Sequence, residues 1–367
     1  MSTDPRLRIL LDGYWWEDGP PSGKMVLREI VKAWQSEFPR DELGLLVPSA
    51  AGIEVTVPDE VEIFRTPFRL HPINNFALLP LIARQHKFDV MLSQNFAAPG
   101  RRSFVYVHDA IFKTNPEWFT RRERAYLSAI FPSLKLCSTI FTSSTTERRR
   151  ITRFSGRAPG DVIPTGLAAP SSLFDSSVRP DVDLTSNKFI LSVGRLNVRK
   201  NLKRTIEAAV QSTALSADFP LVIVGEKSGR FAELGSEIQA AVESGKVIFM
   251  GHVADENLRW LYGNCALFCY LSLDEGFGLP PIEASMLGAA VLVSDINIFH
   301  EVLGDSADYV EPHSTDLIAA AIVRIIKEGK GRRPEIAGKS WGSVVRTMRT
   351  VIIQDSLQSS EIRSSLA

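Results

Sequence analysis

Short apolar runs, each followed by a loop and then by helical spacing, recur along this 367-residue chain, and that alternation restricts its fold more than any other feature. Leu7–Asp12, Phe88–Leu92, Phe104–His108, Ser138–Phe141, Phe189–Gly194 and Ala266–Leu273 read as strands. Val26–Val31, Thr205–Val210 and Ser340–Ile353 have helical spacing. The order strand, loop, helix predicts α/β units with mainly parallel sheets. The length exceeds what one core usually sustains, so two such units are expected, facing each other across a cleft. A content of 44% hydrophobic and 23% charged residues supplies apolar material for both. The Pro-, Ser- and Asp-rich stretch 157–183 is the expected connection, which divides the chain into 1–182 and 183–367. The polar tail after Gln354 is expected to fray.

Asp274-Glu-Gly-Phe-Gly-Leu-Pro-Pro-Ile-Glu283 sets Glu275 and Glu283 eight positions apart around Gly276, Phe277, Gly278 and Leu279. Pro281 fits the first helical position, where its missing N–H costs nothing, and Glu283 then falls in the first turn. A strand passing through Gly-x-Gly into a helix aims backbone N–H groups and a positive dipole end at a ligand, which favours an anion. Carboxylates there would repel a phosphate but can accept hydrogen bonds from sugar hydroxyls, so the pattern suits a phosphorylated sugar. The plainer alternative makes Glu283 a favourable first-turn acid and Glu275 a solvated loop residue. Upstream, Arg195-Leu-Asn-Val-Arg-Lys-Asn201 joins a strand to a helix. Arg195 and Lys200 could neutralise a diphosphate there without a metal; the alternative is an exposed basic loop capped by Asn201.

Ser192-Val-Gly-Arg-Leu-Asn-Val-Arg-Lys-Asn-Leu202 together with Asp274–Glu283 resembles the carboxyl-terminal half of the retaining, nucleotide-sugar-dependent glycosyltransferases of GT-B architecture, the group 1, family 4 type with a Glu-x7-Glu motif. Gly251–Leu258, which includes Val253, resembles that family's loop beside the nucleoside base. Leu287–Asp295 and Glu301–Val310 match its next segments, so the likeness covers about 130 residues in order. The resemblance implies a GT-B fold of two Rossmann-like domains, the first for acceptor and the second for the nucleotide sugar, with the last helix packing back toward the first. It implies that Glu275 binds hydroxyls of the donor sugar and Glu283 those of the ribose.

The first half carries weaker matches. Gly19-Pro-Pro-Ser-Gly23-Lys24 resembles the family's glycine loop leading into the first helix, with Gly23 at the donor. It is not a Walker A sequence, since Met25 stands where a Ser or Thr would bind magnesium. Phe104-Val-Tyr-Val-His108-Asp109 resembles the strand-end His-Asp of mannosyl-transferring members, which tilts the donor toward GDP-mannose. His108 at a strand end could donate to a donor hydroxyl or to developing charge; the alternative is a structural histidine. Asn95, Asp109 and Ser144 sit at comparable strand ends, on the acceptor side or in the cleft, and are also ordinary loop residues.

Between Arg101 and Gly160, twelve Lys or Arg stand against four acids although the whole chain has no net charge. With Trp118, Phe119, Tyr126, Phe131 and Phe154 nearby, residues 113–157 suit an anionic membrane surface and a lipid-linked saccharide acceptor, or form a solvated basic face. No nucleic-acid module is present, no apolar run approaches the ~18–20 residues of a membrane span, and nothing reads as a secretory signal. Cys137, Cys265 and Cys269 fit a reducing compartment and burial more than metal binding. The expectation is a cytoplasmic, metal-independent, retaining glycosyltransferase of surface polysaccharide or glycolipid assembly, peripheral on the inner membrane face. Two alternatives are a GT-B sugar-nucleotide epimerase, which needs further cleft carboxylates, and a noncatalytic membrane-docked sugar-binding protein.

Overall fold

The structure, a computed structural model, describes residues 5–48, 56–58, 60–100, 102–226, 235–329 and 339–366, with side chains to 357. The chain forms two compact units. One comprises residues 1–113, 122–170 and 338–367, the other 114–121 and 171–337.

Among the described residues the first unit holds seven strands: β1 (Arg8–Asp12), β2 (Glu42–Pro48), β3 (Val61–Thr66), β4 (Val90–Gln94), β5 (Ser103–Val107), β6 (Thr139–Thr142) and β7 (Val162–Pro164). Their order is β3-β2-β1-β4-β5-β6-β7, and every pairing is parallel. Strands buried on both faces need continuous apolar runs, which Ile9-Leu10-Leu11 and Phe104-Val-Tyr-Val107 provide. The strand order reverses between β1 and β4, the position where an open α/β sheet leaves a ligand crevice beyond its carboxyl ends.

The second unit holds β8 (Ile190–Val193), β9 (Leu221–Val224), β10 (Val247–Gly251), β11 (Leu267–Tyr270), β12 (Val291–Ser294) and β13 (Asp308–Val310). Their order is β10-β9-β8-β11-β12-β13, again parallel, with the reversal between β8 and β11. The helix Leu202–Gln211 buries Leu202, Thr205, Ile206, Ala208 and Ala209 as one stripe. Ile190, Ile223, Leu267 and Leu292 of the sheet share that core.

Several expectations need correction. Residues 157–183 are not wholly a linker, because Val162–Pro164 adds an edge strand to the first sheet. The last helix runs Trp341–Leu366, past the tail expected to fray at Gln354. It belongs to the first unit. Arg349 fixes it there, its Nε 2.7 Å from Asp41 Oδ2 and its guanidinium 4.5 Å from the Phe38 ring centre, while Trp341 Nε1 donates to the Ala169 carbonyl at 2.8 Å. Finally, 71–85 is helical but uneven: His71–Ile73 is α, Asn74–Leu78 is a π turn, and Leu79–Gln85 is α again. Pro80 has no N–H for the carbonyl four residues before it, and the Leu79 N–H donates instead to Asn74, five residues back.

Candidate functional site

In the second unit the strand reversal brings together the loops after β8 and β11. Gly194 and Gly225 lie on adjacent strand ends with φ of 142° and 144°. A Cβ at Gly225 would come within 2.0 Å of the Gly194 carbonyl oxygen, so only glycine lets the chains approach this closely. Val198–Lys200 then forms a single 3-10 turn whose first residue is preceded by Asn197, with Asn197 accepting from the Lys200 N–H at 3.2 Å. Asn201 follows at φ 53°, and its side chain donates to the Pro312 carbonyl at 2.8 Å rather than capping the next helix.

This tight turn lets neighbouring residues reach one carboxylate. Lys200 Nζ stands 2.5 Å from Glu275 Oε1 and Arg199 Nη1 3.1 Å from Glu275 Oε2. The Leu273 N–H donates to the Arg199 carbonyl at 2.8 Å, joining the two loops by backbone as well. Lys200 Nζ also donates to the Tyr270 hydroxyl and lies 4.3 Å from that ring's centre. Burial alone would raise the Glu275 carboxyl, but Arg199 and Lys200 outweigh it and hold it down to about 2. Burial lowers Lys200 to about 8, against the pull of Glu275. Its ammonium is therefore fixed, desolvated and still mostly charged at neutral pH.

The helix Leu279–Met286 opens beside this pair. Gly278 precedes it at φ 90° and ψ 58°, and a Cβ there would come 2.7 Å from the Phe299 ring. No side chain caps the helix start. Because the turn at Gly278 begins the helix at Leu279, the prolines take the second and third positions. Glu283 thus lies in the second turn, not the first as the sequence suggested. Glu283 is half-buried, and burial pushes its carboxyl up to about 7. Beside it is the buried Tyr262, whose hydroxyl interacts with the carboxyl and partly offsets that rise.

The first unit builds a second polar cluster at its own strand reversal. Asp12, ending β1, is 2% exposed. Its Oδ2 lies 2.6 Å from His71 Nε2 and accepts from Asn75 Nδ2 at 2.9 Å and the Gln94 N–H at 3.1 Å; its Oδ1 accepts from the Tyr14 N–H at 2.9 Å. The other ring nitrogen of His71 lies 2.9 Å from the Tyr126 hydroxyl. Burial would raise Asp12, but His71 and these donors hold it below the ordinary carboxylate range. Tyr14 stacks on the His71 ring with centroids 4.2 Å apart.

The family model for glycosyl transferases group 1 matches residues 178–339, the stretch that carries the Lys200–Glu275 pair and the Gly278 helix start. Residues 178–339 are similar to group 1 glycosyltransferases. O-antigen chain mannosyltransferase B of Escherichia coli is 27% identical over 259 residues, covering 68% of this chain and 68% of that one. O-antigen chain mannosyltransferase RfbU of Salmonella typhimurium is 29% identical over 280 residues, covering 74% and 76%. Sucrose-phosphate synthase from Thermosynechococcus elongatus superposes with a TM-score of 0.65 at 17% identity, over 98% of this chain and 99% of that structure. The architecture is GT-B.

Within this glycosyltransferase frame, the residues expected from sequence separate into groups. Lys200, Glu275, Gly276, Phe277, Gly278 and Leu279 gather where the β8 and β11 loops meet. Arg195 is exposed one turn away, and Arg199 takes the contact with Glu275 that sequence reasoning had left unassigned. Val253 is half-buried on the loop between β10 and the helix Asp255–Asn264. Gly23 lies inside the first turn of the helix Pro21–Glu37 rather than in a loop before it, and a Cβ there would meet the Trp15 ring at 2.5 Å.

His108 follows β5 with Nε2 2.6 Å from Gln94 Oε1, and burial lowers its imidazole to about 4. It is neutral at neutral pH and can exchange hydrogen bonds without carrying charge. Asn95 accepts from the His108 N–H at 3.2 Å, Asp109 from the Ile111 N–H at 3.3 Å, and Ser144 from the Glu147 N–H at 3.0 Å, capping the helix Thr145–Ser155. Asp12, His71, Asn75, Gln94, Tyr126, Tyr262 and Tyr270 were not found from sequence. A buried carboxylate at the end of an apolar strand, Asp12, was the one local signal.

Proposed function

We propose that the protein is a retaining glycosyltransferase that moves a mannose-type hexose from a nucleoside-diphosphate sugar, GDP-mannose favoured, to a saccharide acceptor carried on a lipid, in surface polysaccharide or glycolipid assembly. The observation that carries this reading is Glu275, gripped by Lys200 and Arg199 beside the Gly278 helix start. The names of the two mannosyltransferase relatives support the sugar and the O-antigen setting.

In this reading the second unit takes the donor and the first the acceptor. The diphosphate draws on Lys200, Arg199 and the backbone amides at Leu279, so negative charge growing on the leaving group is met by groups already in place. Glu275 then accepts from donor-sugar hydroxyls, and Glu283 from the ribose. His108, neutral, hydrogen-bonds the sugar. The acceptor hydroxyl attacks from the leaving-group face, its oxygen bonding to the anomeric carbon as the carbon–phosphate oxygen bond breaks. The departing phosphate oxygen takes its proton, and configuration is kept without a protein nucleophile.

A thermal-shift panel of GDP, UDP, dTDP and ADP sugars tests the donor. A ligand at about 100 times its dissociation constant stabilises by ~2.7 kcal/mol, so one sugar nucleotide should stand apart. Radiolabel transfer to lipid extract then tests the acceptor. Unchanged product from Glu275→Ala would remove Glu275 from the mechanism. Donor binding with no turnover would favour a noncatalytic sugar-binding protein.

A further inference from the structure

The first turns of the segment Leu70–Gln85 carry their side chains inside out. At its start the inward residues are polar: His71, Asn74 and Asn75 are 1%, 2% and 0% exposed. They are held by Asp12, by the Phe68 carbonyl at 3.1 Å and by the Phe96 carbonyl at 2.9 Å. Large apolar residues face outward instead: Leu70, Ile73 and Leu81 are 62%, 42% and 49% exposed, and Phe68 in the preceding loop is 50% exposed. A surface helix of a globular protein does the reverse. Single exposed apolar residues are ordinary, but four on one stretch whose polar groups have been drawn inward form a patch that suits an apolar medium.

Charge says which medium. Residues 63–88 contain no Asp or Glu, where the chain's 42 acids in 367 residues would place about three. Arg65, Arg69, Arg84 and Lys87 border the patch and are exposed. The His71–Tyr126 contact at 2.9 Å ties this segment to the helix Arg121–Ser128, where Arg122 and Arg124 are exposed on either side of the exposed Glu123. A second copy docking by the same face would set arginine against arginine, so the charge favours a negative partner.

We propose that this face docks on an anionic bilayer surface. Phe68, Leu70, Ile73 and Leu81 enter the boundary between headgroups and acyl chains while the surrounding Arg and Lys meet the headgroups. The inference deepens the membrane element of the reading above by supplying an apolar face, where the sequence suggested only the basic run 113–157. Its test does not depend on sugar transfer.

Flotation of the full-length protein with vesicles of phosphatidylcholine, alone or mixed with phosphatidylglycerol, is the experiment. The wild type should float with the mixed vesicles and be released by added salt. Ile73→Ser with Leu81→Ser should lower that partition at least ~10-fold, with melting temperature and nucleotide binding unchanged. A wild type that floats with neither vesicle, or a double variant that floats as well as the wild type, overturns the proposal. A salt-resistant dimer of the wild type that the double variant loses would assign the face to a second copy and overturn it as well.

Discussion

Lys200 Nζ rests 2.5 Å from Glu275 Oε1, so the cation proposed for the phosphate and the acid proposed for the sugar hydroxyls neutralise one another within one loop pair. The consequence is a site whose charges are positioned by each other, with Arg199 as the third member.

Arg199 should matter more than Arg195. Arg199 Nη1 touches Glu275 at 3.1 Å whereas Arg195 is exposed. Removing a desolvated donor aimed at developing charge typically costs about 100-fold in turnover. Arg199→Ala is therefore expected to lose about that much in kcat, and Arg195→Ala less than about 10-fold. Steady-state kinetics with the sugar nucleotide settle the ranking, and the opposite order would restore Arg195 to the centre.

Glu283 should make nucleotide binding release a proton. Its carboxyl is raised from 4.5 to about 7, so the folded protein holds a proton there that the unfolded chain has lost. Stability from this group is full below about pH 4.5, falls as pH rises, and is gone above about 7. In the proposed donor complex, ribose hydroxyls would donate to the ionised form and favour it. Titration calorimetry near pH 7 in buffers of different ionisation enthalpy should show proton release, absent in Glu283→Gln. Equal proton uptake in both proteins would rule this out.

His108 should make the fold acid-sensitive. Burial lowers its imidazole from 6.5 to about 4, so the unfolded chain takes up a proton first as pH falls. The associated stability is full above about 6.5 and is lost progressively down to about 4, by up to ~3 kcal/mol. Melting temperature against pH should fall more steeply across that window in the wild type than in His108→Gln. Parallel curves would contradict it.

Asp12 should depend on His71. The carboxylate is 2% exposed and has the imidazole 2.6 Å away. Removing a hydrogen-bond partner from a buried carboxylate costs about 1–3 kcal/mol or more. Chemical denaturation should show a loss of that order for His71→Ala, partly recovered when Asp12→Asn is added. A single variant as stable as the wild type would mean that Asn75 and the Gln94 N–H suffice.

The parallel α/β class, the strands that end at the two polar clusters and the carboxylate loop were legible because their signals are local: apolar runs of strand length, glycines at turns, prolines at a helix start. The choice between Arg195 and Arg199 was not, because which cation reaches Glu275 depends on the 3-10 turn at Val198–Lys200, and composition does not reveal that turn. Glu283 was assigned one turn too early because Leu279, following the turn at Gly278, begins the helix rather than a proline. Val162–Pro164 was hidden by its three-residue length and its proline. Asp12, His71 and Tyr126 come from a strand end, a helix start and a distant helix, and long-range pairing of this kind leaves no spacing to read. The membrane expectation counted charge along 113–157 and could not see which apolar side chains of 68–81 would face outward.

The π turn at Asn74–Leu78 holds one residue more than a regular helical turn. Five residues here sweep about the angle that four sweep in an α-helix, so losing one of them would restore the ordinary pitch and leave everything downstream facing as before. Leu79 and Ala83 would keep their packing against Leu10, Leu46 and Met91. A single codon could thus be gained or lost here with its effect confined to the turn itself, where His71, Asn74 and Asn75 gather their polar partners.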